Sequence, residues 1–208
     1  MYPTGRALSI VSCMTKSDAQ LSPKIGKRER LVQAAMRVFY EQGIEKTTIA
    51  DIAREADVPV GNVYYYFKTK DQFIAAVIEL HGQVLAGAVA ELAELPGPAE
   101  KLKAMVRSWV EQREMAARFG CPTGSLAAEL DKREDAFGGE PARVIGLLVE
   151  WAREQFAELG RADAAELAIA FVAAYQGISL LANTFRDPEL MVTEGARLER
   201  WIDELARK

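Results

Sequence analysis

The sequence predicts an all-α protein of about nine helices, in which a small N-terminal three-helix domain precedes a larger helical bundle. Three observations lead there. Apolar residues recur at i, i+3, i+4 and i+7 through most of the chain. Gly, Pro or Asp interrupts that pattern at intervals suited to helices of two to seven turns. No segment alternates apolar and polar residues as a half-buried strand would. A chain of 208 residues, 50% hydrophobic and 27% charged, can bury a proper core as one or two domains.

Residues 1–23 lack periodicity and end in Ser22-Pro23, so a mobile arm is expected, and Met14 is an alternative initiator. A separate three-helix domain is expected over residues 24–70. Its first helix runs from about Pro23 to Gln42, with Leu31, Ala34, Ala35, Val38 and Phe39 on one stripe. Gly43 supplies the stop, and Ile44 is expected to fold back on Phe39 in a Schellman end. In Thr47–Lys70, TTIADIAREADVPVGNVYYYFKTK, residues Ile49, Ile52, Ala53 and Ala56 give a second helix its apolar face. Thr48 and Asp51 fit a capping box. Asp57-Val58-Pro59 fits a tight turn, because Asp tolerates a left-handed backbone and Pro opens helices. A third helix from about Pro59 to Tyr66 completes a helix-turn-helix as the reading helix.

Tyr64, Tyr65 and Tyr66 are consecutive, so they cannot all face inward and at least one phenol must be exposed. An exposed Tyr can donate to a phosphate and stack on a sugar or a thymine methyl group. Asn62 is the candidate for a directional bond to a base, with adenine the expected one. Thr47 and Thr48 are expected to place hydroxyls and N–H groups near a phosphate.

This segment resembles the DNA-binding domain of TetR-type transcriptional regulators. The matching letters are Thr47-Thr48, Ile52-Ala53, Val58, Gly61, Tyr64, Phe67 and Lys70, within a similarity spanning about Lys27 to Phe73. The departure is Asp57, where the family usually carries Gly, and the same turn with slightly more strain is expected. The resemblance implies that Tyr64 contacts DNA, that Lys70 meets phosphate, and that Val60, Gly61, Asn62 and Tyr65 face the groove. It also implies a C-terminal ligand-binding and dimerisation domain, residues 71–208, that pairs through its last two helices.

In that domain Thr69 and Gln72 fit a second capping box opening a long helix to about Glu94. Pro96-Gly97-Pro98 breaks it. Further helices are expected over Lys101–Phe119, Pro122 to about Glu134, Pro141–Leu159, Asp163–Phe185 and Pro188–Ala206. The helix from Asp163 to Phe185 is apolar over most of its circumference and carries Ala170, Ala173, Ala174, Gly177 and Ala182. It therefore needs cover on more than one side, as a core and dimer helix. Met105, Trp109, Phe119, Cys121, Trp151, Phe171 and Tyr175 are candidates to line a pocket for a largely apolar small molecule.

The formal charge of −4 hides an asymmetry. Residues 1–70 hold 11 Lys and Arg against 7 Asp and Glu, while residues 71–208 hold 15 against 23. Two cysteines make no disulfide framework, and a cytoplasmic location is expected. The longest uninterrupted apolar stretch, Leu167–Tyr175, is too short for a membrane span. Cys121 has two readings: a thiol sensor activated at a helix start, or a small residue lining the pocket. His81 is the single histidine, expected as a polar residue on the long helix, which leaves metal clusters and Ser-His-Asp arrangements too few parts. No Gly-rich phosphate loop, His-Glu-x-x-His or Cys-x-x-Cys occurs, so neither a cofactor nor an enzyme is expected. The expectation is a homodimeric regulator, a repressor, bound to a palindromic operator and released by a small molecule. The rival is a helical enzyme or metabolite-binding protein whose N-terminal domain only mediates interactions.

Overall fold

The computed structural model describes residues 25–132 and 139–207, and every described element is helical. The expected arm over 1–23 and the end of the helix expected to reach Glu134 lie outside these residues. The helices are α1 Lys27–Gln42, α2 Ile49–Glu55, α3 Val60–Tyr66, α4 Lys70–Ala93 and α5 Gly97–Glu111. They continue as α6 Arg113–Phe119, α7 Pro122–Leu130, α8 Glu140–Glu158, α9 Ala164–Phe185 and α10 Glu189–Ala206. The one helix expected over Lys101–Phe119 is bent into two, α5 and α6. At Gln112, φ −92° and ψ 8°, the amide bonds to Trp109 O at 3.1 Å, a tightened three-residue step, and the Gln112 side chain donates to Ser108 O at 3.1 Å. α5 also starts a turn earlier than expected, because Pro98 occupies the first turn, where its missing N–H costs nothing.

The chain divides into two compact units. The first takes in the described residues through Gln83 together with those of Pro122–Val144; the second takes in Val84–Cys121 and Ile145 onward. The boundary therefore falls within α4, not at residue 70, and α7 packs with the helix-turn-helix. In the first unit Leu31, Ala35, Ile52, Val63, Phe73 and Ile74 are fully buried, and Phe67 stacks on Phe73 with ring centroids 4.1 Å apart. These are the apolar positions of the helical stripes, so burial follows the sequence period.

The second unit is built on rings. Trp109 stacks on Tyr175 at 4.3 Å and tilts against Phe171 at 4.8 Å, and Phe156 meets both Phe171 and Trp201. α5 and α10 approach closely at Gly195, where an added Cβ would lie 2.5 Å from Val110 Cγ2. Ion pairs Lys103–Asp203 at 2.9 Å and Arg107–Glu199 at 3.1 Å rim this contact, each worth at most about 1 kcal/mol.

α9 buries Ala168, Phe171, Val172, Tyr175, Ser179 and Ala182 in this core. On its opposite face Ile169, Leu180, Leu181 and Phe185 are exposed. α4 and α9 are long and apolar enough to cross a membrane by length and composition, with mean hydropathies of 1.7 and 1.6. The uninterrupted run Leu167–Tyr175 understates α9, because Gln176, Gly177 and Ser179 break the run without lowering the mean much. A core helix passes the same test, and α9 has one face in a core.

Candidate nucleic-acid interface

The helix-turn-helix is set by local chemistry. Thr48 Oγ1 accepts from the Asp51 amide at 3.2 Å, and the Asp51 carboxylate accepts from the Thr48 amide at 3.0 Å, closing the capping box that starts α2. Hydrogen bonds from the Thr48 side chain and backbone, then from Arg54, hold the Asp51 carboxyl at about 2. At the turn Asp57 adopts φ 50°, the left-handed conformation expected there, and Val58 N–H bonds back to Ala53 O at 3.0 Å. α3 then begins after Pro59, whose φ of −54° suits that position.

Seven residues give α3 two faces. Val63 is fully buried and Phe67, just beyond its end, is 3% exposed. On the outer side Val60, Gly61, Asn62, Tyr64 and Tyr65 are all exposed, Tyr65 at 81% and Tyr64 at 46%. Tyr66 is half-buried with its ring edge-on to Tyr65 at 4.9 Å. The helix thus presents an amide, two phenols and an uncluttered glycine backbone on one surface. That surface has the donors and rings that duplex recognition uses.

Two predicted contacts have another use. Thr47 is 2% exposed, and its hydroxyl donates to Gly43 O at 2.6 Å while accepting from Gln42 Nε2 at 3.2 Å. Lys70, half-buried, turns its ammonium inward onto the carbonyls of Ile44 at 3.0 Å, Glu45 at 3.3 Å and Thr47 at 3.3 Å. An ammonium has three N–H donors, so this arrangement leaves none for a phosphate. Both residues shape the α1–α2 loop instead. The expected Schellman bond is also absent: Ile44 is buried, but its N–H donates to Glu129 Oε2 on α7 at 2.7 Å. At the start of α4, Thr69 Oγ1 accepts from the Gln72 amide at 3.3 Å, while Gln72 reaches back to the Lys68 amide at 2.6 Å, one residue beyond the expected partner.

His81 lies on α4 as expected and is buried, 6% exposed, and burial alone pushes its pKa down to about 4. It shares a small hollow with Met36, Phe39, Val77, Leu126 and Glu129. Among the pocket candidates, Met105, Trp109, Cys121, Trp151, Phe171 and Tyr175 are buried in the second unit's core. Phe119 is half-buried, with the Arg118 guanidinium 5.0 Å from its ring. Sequence reading passed over Ser179 and Gln155 in this core. Ser179 lies four residues after Tyr175 on α9's inner face, so helical period alone could have placed it inside.

This fold and surface define a helix-turn-helix transcriptional regulator. Residues 31–77 match the family described as "Bacterial regulatory proteins, tetR family". An uncharacterized HTH-type transcriptional regulator of Mycobacterium tuberculosis is 28% identical over 172 residues, covering 78% of this chain and 87% of that protein. BetI of Agrobacterium fabrum is 40% identical over 89 residues, covering 40% of this chain and 43% of that one. A TetR-family transcriptional regulator from Streptomyces coelicolor shares the fold with a TM-score of 0.74 at 23% identity, over 87% of this chain and 94% of that one. The reduced form of Escherichia coli NemR does so with a TM-score of 0.73 at 18% identity, over 84% and 96%. Residues 31–77 thus carry a TetR-family regulatory domain, and the chain shares its fold with TetR-family transcriptional regulators.

Proposed function

We propose that the protein is a homodimeric repressor that reads a short palindromic duplex with α3 and leaves it when a small molecule enters the C-terminal unit. The observation that carries the DNA reading is the bare outer face of α3, Val60, Gly61, Asn62, Tyr64 and Tyr65, on a helix whose inner face is anchored by Val63. Thr48 adds an exposed cap at the start of α2. In this reading Tyr64 and Tyr65 meet sugar and phosphate, and Asn62 reads a base edge.

The exposed stripe of α9 supports the dimer. Ile169, Ala173, Gly177, Leu180 and Phe185 recur on one exposed face, so a second copy of the helix can lie close against it. Two reading helices then enter successive major grooves about 34–36 Å apart. Release requires a ligand that favours a state with a different spacing, and α4 and α8 are helices that run through both units. The stacked rings of Trp109, Phe171 and Tyr175 suit a largely apolar ligand. Ser179 Oγ and Gln155 Oε1, buried with no hydrogen-bond partner, suit its polar end. The alternative of direct thiol sensing through Cys121 is disfavoured by its burial, because attack needs a reachable sulfur.

The test is selection of duplexes from a random pool by the full chain. A palindromic motif is expected, and Asn62→Ala should relax preference at one position of each half-site. Failure of the chain to enrich any duplex would refute the DNA reading, and an unchanged motif would remove Asn62 from base recognition.

A further inference from the structure

Most backbone polar groups of the loop between α1 and α2 have protein partners, and two of the partners come from distant helices. Gly43 N–H closes onto Phe39 O at 2.9 Å, Gly43 O takes the Thr47 hydroxyl, and Thr47 N–H bonds to Ile44 O at 3.2 Å. Lys70, at the start of α4, gathers the carbonyls of Ile44, Glu45 and Thr47. Ile44 N–H has no partner in α1 or in the loop. It donates to Glu129 Oε2 at 2.7 Å, from α7 and 85 residues away in sequence. The peptide flanks of one residue are thus held by opposite charges, a carboxylate on its N–H and an ammonium on its C=O.

Gly43 makes room for this grip. Its φ of 84° disfavours any side chain, and a Cβ there would lie 3.1 Å from both Glu129 carboxylate oxygens. The loop ends at Thr48, the cap of α2, so the placement of Ile44 sets where α2 begins. The Asp57 turn then passes that placement to α3. α7 itself is seated beside α1 and α4, where Leu126 and Glu129 share the hollow with Met36, Phe39, Val77 and His81.

We propose that Glu129 is a positioning residue of the DNA reader: by holding the Ile44 amide from α7, it fixes the entry to α2 and makes operator affinity depend on where α7 sits. α7 begins at Pro122, directly after Cys121, the last residue of the second unit's first segment. A change in that unit therefore has a covalent route to Glu129 that does not run along α4. This inference rests on α3 being the DNA reader.

The experiment compares the full chain with Glu129→Ala and Glu129→Gln, using the duplex that the unaltered chain enriches. Binding is followed by fluorescence anisotropy well below the unfolding temperature. Backbone hydrogen exchange is followed over residues 43–48. Loss of a charge-assisted bond should weaken operator binding on the order of tenfold in Glu129→Ala, with faster exchange at Ile44. Glu129→Gln keeps an acceptor oxygen, so it should restore affinity to within about threefold and restore protection. Rescue by Gln also separates positioning from general loss of stability, which thermal unfolding of both variants records. Parent-like affinity in Glu129→Ala despite deprotection of Ile44 would overturn the proposal. So would a Gln variant that keeps Ile44 protected yet binds as poorly as Ala. If Glu129→Ala does not fold, Glu129→Gln alone decides through the same two readouts. A parent chain that enriches no duplex would instead sink the underlying DNA reading, a failure distinct from either variant result.

Discussion

On α3 the exposed aromatic side chains are Tyr64 and Tyr65, whose hydroxyls remain comfortable in water, with Val60 the one exposed aliphatic, whereas on α9 the large exposed side chains are Ile169, Leu180, Leu181 and Phe185, which carry no polar atom at all. The first set can leave water for a wet, charged surface and return to it. The second set loses free energy, at roughly 25 cal/mol per Å2, for as long as it stays uncovered. The units differ inside in the same sense. Around the reader, charged side chains do structural work on the backbone: Asp51 caps α2, Lys70 gathers three carbonyls and Glu129 takes an amide. The second unit relies mainly on ring stacking and aliphatic packing, with ion pairs such as Lys103–Asp203 at its surface and Arg186 gathering two carbonyls, those of Ala117 and Arg118. The proposed reading helix and the proposed dimer helix thus carry different surfaces in one chain.

The comparison breaks hardest at α9. Leu180→Arg should leave the fold intact but convert dimer to monomer in sedimentation, and operator affinity should fall about a thousandfold as the second half-site is lost. A dimer of parent affinity would place the interface elsewhere. Gly177 lies on the same exposed face, but Ala174 is half-buried against its own core, so a charge there would test folding instead.

Acid should act on the first unit next. His81 sits at about 4 when folded and near 6.5 when unfolded, so the unfolded chain binds the proton first. Its contribution is complete above pH 6.5 and is lost as the pH falls towards 4, up to about 3 kcal/mol. Denaturant unfolding at pH 7 and pH 4.5 should show this loss in the parent and a smaller one in His81→Gln. Equal slopes in the two chains would show that the buried imidazole is not what titrates.

Lys70→Ala sharpens the contrast between structural and DNA-facing charge. It should cost about 1–2 kcal/mol of stability through the three carbonyls left without a donor, with the salt dependence of operator binding unchanged. A slope shallower by about one would restore it as a phosphate contact. The smallest effect belongs to Asp57→Gly. Relieving the φ of 50° should stabilise the chain by less than about 1 kcal/mol and leave affinity alone. Destabilisation would mean that the Asp side chain supports its turn.

Much of the reader was legible because its determinants are local. A capping box spans four residues, a left-handed turn needs a tolerant residue at one position, and three adjacent tyrosines cannot share one face. The helix bend at Gln112 was not legible, since no Gly or Pro marks it and a side-chain bond to Ser108 accompanies it. Lys70 was misplaced for a related reason. A lysine after an aromatic run resembles a phosphate contact, and nothing nearby in sequence announces the carbonyls of Ile44, Glu45 and Thr47.

By itself the sequence determined the helical class, the order of its helices, the position of the reader and the apolar excess of the helix from Ala164 to Phe185, because each depends on periodicity or on neighbours a few residues apart. Only the tertiary structure decided which charges face solvent and which hold backbone. It also decided which side of α9 is left bare, and that α7 packs with the reader rather than with the bundle that precedes it. Those outcomes depend on residues such as Ile44 and Glu129, 85 positions apart, whose meeting is a property of packing and leaves no mark at either position alone.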